Sequence, residues 1–410
     1  MFASVCRHWR IACLGSPLLW RRIGPDAYNL NLIALLVERS QNSPLIISYH
    51  ISYHDKGREK QILSLLALHC ERWEDVTLTI RPSSLVLLSS IKGRLPLLAS
   101  LTWGLCESDL ELESTKEFSG FEIAPALQRS HFLPPCPKEL ISVPWVQLTD
   151  LTFEQISASD LYSILRHTPN LCFLFLRIVL GNTATLDPSP EETLNKLTSL
   201  HVTECGTQVL HSLLRISPNI ISLRIIVADN QMYTFCMPFR LLLPCLQTLH
   251  IEVYSYSERL GRIIWVEAPV LSELVVHGCC VSDDDEDDEQ DVAGPPGPIL
   301  LHFLMNFVEE ARCRPASLQL LLEVDFDPIE LASFLHTLPC LELLDITTLH
   351  GLQSMPFRKM IPAAQVFPRL QIIRLRVPDY EQYTLDDLND LITFAKSSVP
   401  LKVELIPHSI

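Results

Sequence analysis

The 410-residue sequence predicts an α/β solenoid, in which parallel strands line a concave face and helices lie on the convex face. Three observations support this fold class. The chain is 48% hydrophobic and 20% charged, which is enough apolar surface for a large core. A short apolar phrase recurs about every 25 residues. Segments between several copies of this phrase have the apolar spacing of a helix.

The recurring phrase is an apolar residue, two further residues, an apolar residue, one residue and a third apolar residue. PNLCFLFL and PCLQTLHI are clear copies. The first apolar positions are Trp73, Leu98, Leu148, Leu171, Leu197, Ile220, Leu246, Leu271, Leu341 and Leu370. This L-x-x-L-x-L phrase is the leucine-rich-repeat signature, because alternating apolar residues form a strand with one buried face and the units must stack to cover it.

The spacers between the phrases predict the helices and turns. SDLYSILRH, TQVLHSLLRIS, PIELASFLHT and LDDLNDLITFA have helical apolar spacing. Proline lies two residues before the first apolar position in seven copies, where it ends a helix and favours extended chain. Cys106, Cys205 and Cys279 occupy the position at which the repeat pattern places Asn or Cys.

These patterns predict a repeat domain over residues 60–406, preceded by a linker at 26–59. Residues 106–145 are polar and proline-rich, which predicts an irregular insertion that replaces one repeat. A degenerate copy of the phrase is expected near Leu318. The segment 282–298 begins with SDDDEDDEQD, whose eight carboxylates are half of the formal net charge of −16. It predicts a disordered acidic insertion outside the repeat core.

Composition and motifs also argue against several classes of function. An acidic pI near 5.3 argues against nucleic acid as the partner, and no stretch is apolar enough for a membrane span. No nucleotide-binding, metalloprotease or nucleophile-elbow motif is present, so we predict a non-enzyme without a cofactor. His277, Cys279 and Cys280 are candidate zinc ligands, but no second cluster completes them and no metal is predicted. Thirteen cysteines without a framework spacing indicate a reduced compartment, cytoplasmic and/or nuclear.

The first 25 residues form a distinct basic and aromatic segment. ASVCRHWRIACLGSPLLWRRI has four arginines and two tryptophans before the first carboxylate, Asp26. It fits a mitochondrial presequence or a membrane-surface helix poorly. It resembles the latter half of an F-box, whose pattern runs V-C-[RK]-x-W-[RK]-x-[IL]-A and then S-P-x-L-W. The following LLVERSQNSPLIISYH resembles the segment that joins the F-box to the repeats in many fungal F-box proteins.

This resemblance implies a non-catalytic substrate-recognition subunit of an SCF-type (Skp-cullin-F-box) ubiquitin ligase, which binds a Skp-type adaptor. The residues expected to bind the adaptor are Val5, Trp9, Ala12, Pro17, Leu19 and Trp20. The chain begins inside the pattern, without the Leu-Pro helix of a full F-box, so we expect adaptor binding to be weak or absent. The alternative is a leucine-rich-repeat interaction scaffold, in which the partial F-box at 1–25 only caps the solenoid.

A partner-binding surface is expected on the concave face. The residue after the second apolar position of each copy forms a row there: Thr77, Thr102, Thr152, Phe175, His201, Arg224, His250, Val275, Asp345 and Arg374. We predict that six aromatic and cationic residues bind an acidic or phosphorylated protein partner: Phe173, Phe175, Arg177, His201, Arg224 and His250. Arg224 would bind the anion through two parallel hydrogen bonds. The histidines, whose pKa is near 6.5 if unperturbed, would become positively charged as the pH falls through that value. An ordinary mixed solvent face is the alternative.

Overall fold

The computed structural model describes twelve stretches of the chain and divides it into two compact units, Met1–Lys196 and Leu197–Ile410. The described stretches are residues 6–24, 29–51, 56–106, 118–134, 141–181, 193–227, 241–253, 266–278, 297–322, 328–347, 369–378 and 402–408. Each unit is an α/β repeat with a parallel sheet.

The strands of the N-terminal unit pair in parallel in the order of the sequence. They are β1 (Arg22–Ile23), β2 (Leu45–His50), β3 (Trp73–Ile80), β4 (Ser100–Leu105), β5 (Arg129–Phe132), β6 (Asp150–Ser157) and β7 (Phe173–Leu180). The helices of this unit are α1 (Arg7–Leu14), α2 (Leu30–Arg39), α3 (Lys56–Leu68) and α4 (Ala158–Leu165). Short 3-10 segments at Pro17–Trp20, Cys70–Arg72, Pro82–Ile91 and Trp145–Gln147 complete several connections.

The C-terminal unit has the same organisation. Its parallel sheet consists of β8 (Ser199–Glu204), β9 (Ser222–Val227), β11 (Thr248–Val253), β13 (Glu273–Gly278), β14 (Ser317–Leu322), β15 (Leu343–Thr347), β16 (Ile372–Pro378) and β17 (Lys402–His408), in that order. A separate two-stranded pair is formed by β10 (Leu241–Leu242) and β12 (Val266–Glu267). The helices are α5 (Thr207–Ile216), α6 (Gly297–Glu310) and α7 (Pro328–His336).

The repeat phrase predicts where the strands begin. In nine copies the strand starts two residues after the first apolar position, as with Leu171 before β7 and Leu246 before β11. These two leucines are themselves buried, in the turn that leads into the strand. Where burial is described, alternation along the strand then places the second and third apolar residues in the core, as with Leu174 and Leu176 of β7. The degenerate copy near Leu318 is also confirmed, because it forms β14.

The segment 106–145, predicted as an irregular insertion, contains a strand of the sheet. Strand β5 pairs in parallel with β4 on one side and β6 on the other. Its phrase, PALQRSHF, has Pro125, Leu127 and Phe132 in the expected places, but Ser130 stands at the second apolar position. Ser130 is nevertheless buried, so the fold accepts a hydroxyl at a core position that a search for leucine rejects.

The segment 26–59, predicted as a linker, contains helix α2 and strand β2. Leu45, Ile47 and Tyr49 are buried and alternate with less buried residues, so β2 contributes to the core. Arg72 fixes the turn between α2 and β2, since its Nε donates to the Ser43 carbonyl at 3.0 Å. The sequence search missed this strand because PLIISYH alternates without the full L-x-x-L-x-L phrase.

Three predicted helices are confirmed at α4, α5 and α7. The fourth, LDDLNDLITFA, lies outside the described residues. Residues 282–296 of the acidic segment lie outside them as well. Helix α6 begins at Gly297, so its first two residues overlap the end of the predicted segment 282–298. Within the described part of the chain, no helix combines the length and the apolar composition needed to cross a membrane. The cysteines in the same part are free thiols.

Candidate functional site

The N-terminal segment presents apolar side chains to solvent. Helix α1 buries only Cys13, while Trp9 is 58% exposed and Ala12 is exposed as well. In the following 3-10 turn, Leu19 is 59% exposed. The segment is short but ordered locally, since the Cys6 side chain caps α1 by accepting from the Trp9 backbone N–H. Large apolar side chains of this segment therefore lie at the surface.

The predicted adaptor residues divide into exposed and internally engaged ones. Trp20 donates its indole Nε1–H to the Cys13 carbonyl at 2.7 Å, and the Arg39 guanidinium lies 4.5 Å above its ring. These contacts join the turn to α1 and α2, so Trp20 has a structural role. Pro17 is half-buried at the start of the turn. Val5 lies outside the described residues.

The second predicted site lies on the sheet face opposite to the core, which we call the outer face. The register of the strands confirms the predicted row within each unit but adds two members, His131 of β5 and Gln319 of β14. Thr77 pairs with Thr102 in the N-terminal unit, and His201, Arg224 and His250 pair in succession in the C-terminal unit. In the C-terminal unit the row continues through Val275, Gln319, Asp345 and Arg374.

The histidines of this row are less basic than the sequence alone suggests. Burial lowers the pKa of His201 to about 4, and the nearby charge of Arg224 acts in the same direction. Burial and Arg224 also lower the pKa of His250. The value near 6.5 that holds for an unperturbed histidine therefore does not apply to these two, because the loss of solvation disfavours the imidazolium form.

Arg224 is also engaged within the face. Its Nη2 donates to Oε2 of Glu252 at 2.9 Å. Glu252 lies on β11, two residues after His250, and is only 5% exposed. His277, on β13, pairs in register with Glu252, and its Nδ1 lies 3.8 Å from Oε1 of the carboxylate. We call Arg224, His250, Glu252 and His277 the Glu252 cluster.

Phe173, Phe175 and Arg177 lie on β7 of the N-terminal unit, apart in sequence from the histidines of the C-terminal unit. Arg177 is exposed and donates to Oε2 of Glu154 at 2.9 Å. His131 lies 3.1 Å from the other oxygen of the same carboxylate. Burial alone would raise the pKa of Glu154, but the hydrogen bonds from Arg177 and His131 outweigh it and hold the pKa below its ordinary value.

Sequence reasoning missed the carboxylates that balance the cations of the outer face. Glu154 and Glu252 both stand six residues after the first apolar position of their repeats, one outward position beyond the predicted row. Inspecting that second row would have found them, since alternate strand residues share a face. At the end of the predicted row, Arg374 is also balanced by a carboxylate, since its Nε donates to Oε2 of Glu404 at 2.7 Å. The outer face is therefore a network of paired charges with half-buried aromatic and imidazole rings.

No protein-family model matches the chain, and no curated protein matches it. Among solved structures, the chain is similar to a protein from Bacteroides fragilis whose crystal structure was determined as a target of the Northeast Structural Genomics Consortium. The two are 14% identical, with a TM-score of 0.36. The similarity covers 63% of this chain and 66% of the other, so the chain spans slightly less than two thirds of that neighbour's length.

Proposed function

We propose that the chain is a non-catalytic substrate-recognition subunit of an SCF-type ubiquitin ligase, with leucine-rich repeats that bind a protein partner. Helix α1 and the following turn would dock on a Skp-type adaptor. The outer face of the repeats would hold the substrate through the half-buried aromatic rings of β7 and the polar groups beside them. The observation that carries this proposal is the exposed apolar surface at Trp9, Leu18 and Leu19.

A protein that works alone gains nothing from exposing large apolar side chains together, whereas a docking partner can bury them. Full burial of one leucine or tryptophan contributes about 1.5–3 kcal/mol. A few such anchors are enough for a weak but specific complex. The F-box resemblance at these same residues names the class of partner, a Skp-type adaptor.

Adaptor binding can be tested with two matched substitutions of exposed leucines. We expect the chain to bind a Skp-type adaptor no more than weakly, because it resembles only the latter half of an F-box. Leu19→Ser should abolish this binding, because it removes an exposed anchor. Leu68→Ser should leave it unchanged, since Leu68 is 68% exposed at the end of α3, outside the F-box-like segment. Isothermal titration calorimetry measures both, and absent binding or equal binding by the two variants would contradict the proposal.

A second candidate function has its own support. Strand β1 pairs with β2 at the first edge of the sheet, and Ile23 of β1 is buried. A repeat fold needs such a cover at its end, because the terminal unit would otherwise expose an apolar edge. The chain would then be an interaction scaffold whose N-terminal segment only caps the repeats. If Leu19→Ser lowers the thermal stability of the chain, and the unsubstituted chain shows no measurable adaptor binding, this alternative is favoured.

A further inference from the structure

We propose that His250, Glu252 and His277 form a binding site for a divalent transition-metal ion, with Zn²⁺ as the expected ion. The candidate set in the sequence, His277 with Cys279 and Cys280, shares only His277 with this site. The repeat register brings His277 instead beside two residues of the preceding strand in the sheet. The proposal does not depend on the adaptor or on the identity of the protein partner.

The backbone positions the three side chains on one face. His250 and Glu252 are two residues apart on β11, so both lie on the outer face. His277 is paired with Glu252 on the adjacent strand β13. One potential ligand atom from each residue lies within 4.8 Å of the other two. Ligands of a tetrahedral zinc ion, with bonds of about 2.0–2.2 Å, are separated by about 3.3 Å, so small side-chain rotations would close the site.

Partners within the sheet account for both carboxylate oxygens of Glu252, but not for the Nε2 atom of His250. Glu252 Oε2 accepts from Arg224, and its Oε1 faces His277. The Nε2 atom of His250, in contrast, is buried and has no hydrogen-bond partner among the described residues. A buried imidazole nitrogen without a partner is costly in a folded protein. A metal ion bound at this atom would satisfy it.

The surroundings of the cluster suit metal binding, since the half-buried His250 imidazole can coordinate through a ring nitrogen. Arg224 holds the far oxygen of Glu252, which orients the near oxygen in the manner of an outer-shell partner. Two imidazole nitrogens and one carboxylate oxygen favour zinc over magnesium or calcium, which prefer oxygen ligands. Three protein ligands leave one coordination position for water or for a group of a bound protein.

The test measures zinc bound by the purified full chain, using isothermal titration calorimetry and metal analysis after dialysis. We expect one tight site per chain. His277→Ala should weaken it by at least about 100-fold, the upper end of the effect of losing an outer-shell partner. His277 is 35% exposed, so this variant should fold, and His250→Ala provides the second ligand variant. The matched control is His131→Ala, since His131 also faces a carboxylate beside an arginine, and no second histidine among the described residues completes a metal-ligating group there.

X-ray absorption at the zinc edge distinguishes this site from adventitious binding to cysteines. The proposal expects nitrogen and oxygen neighbours at about 2.0–2.2 Å, whereas thiolate ligands would appear at about 2.3 Å. Tight binding that His277→Ala and His250→Ala both weaken, and that His131→Ala retains, would support the site. A sulfur shell, no tight binding, or equal binding by all the variants would overturn it.

Discussion

Glu252 lies almost wholly buried on β11, between Arg224 on one neighbouring strand and His277 on the other. Its carboxylate balances the positive charge of Arg224. The same balance occurs at Glu154, which faces Arg177 and His131. At the scale of the residue, an arginine on this face is therefore a partner within the fold as well as a potential contact for a ligand.

The lowered pKa of His201 predicts a pH dependence of stability. Between about pH 4 and 6.5, the unfolded chain binds a proton at this position that the folded chain does not, so the free energy of unfolding falls as the pH is lowered through that window. His201→Gln should flatten this dependence, because glutamine does not titrate. Thermal unfolding at pH 7 and pH 5 checks it, with His336→Gln, at an exposed histidine of α7, as the control. An identical pH dependence in wild type and His201→Gln would contradict the expectation.

At the scale of the element, helix α3 is joined to the end of β3 by a buried ion pair. The Arg81 guanidinium donates to Oε2 of Glu59 at 2.7 Å, and its backbone N–H donates to Oε1 at 3.3 Å. Both residues are less than 5% exposed. The pair fixes where the chain leaves the strand, because neither charge can be buried without the other.

Breaking this pair on one side should be costly. Glu59→Ala leaves the Arg81 guanidinium buried without its carboxylate, and we expect the free energy of unfolding to fall by about 3–5 kcal/mol. The double substitution Glu59→Leu with Arg81→Met should recover most of the loss, since apolar groups of similar volume tolerate burial. Chemical denaturation measures both. The exposed pair Lys92–Glu122 is the control, where Glu122→Ala should cost no more than about 1 kcal/mol. A small effect of Glu59→Ala would show that the pair is not coupled to folding.

At the scale of the whole molecule, charge is distributed unevenly along the sequence. The stretch Ser282–Asp291 carries eight of the carboxylates, and its removal would reduce the net charge from −16 to −8. It lies outside the described residues, between β13 and α6 in the sequence. A repeat fold draws its stability from each repeat and its neighbours, so an acidic insertion between repeats should contribute little.

Deleting Ser282–Asp291 should therefore change the free energy of unfolding by no more than about 0.5 kcal/mol, as is usual for surface changes. Thermal and chemical unfolding of the deletion variant provide the measurement. Replacing the same ten residues with a Gly/Ser stretch of equal length separates the effect of charge from that of loop length. A loss of several kcal/mol in either variant would show that this stretch belongs to the repeat core.

The sequence by itself determined the repeat period, the starts of most strands and the helices α4, α5 and α7. These features follow from the local geometry of the chain, because a strand with one buried face must alternate and a helix must repeat its apolar residues every three or four positions. For the same reason the sequence predicted the row His201, Arg224 and His250, which depends only on counting outward positions in neighbouring repeats.

The tertiary structure decided what local patterns do not encode. Strand β5 was missed because a polar residue, Ser130, is buried at a position where the repeat phrase has an apolar one. Strand β2 was missed because it lacks the full phrase, and its place in the sheet is set by its pairing with β3. The partners of Arg224 and Arg81 are 28 and 22 residues away in the sequence, and only strand register and helix packing bring them within hydrogen-bonding distance. Burial then sets the charge of His201 and His250, because solvation depends on what surrounds a side chain in space rather than on its neighbours in the chain.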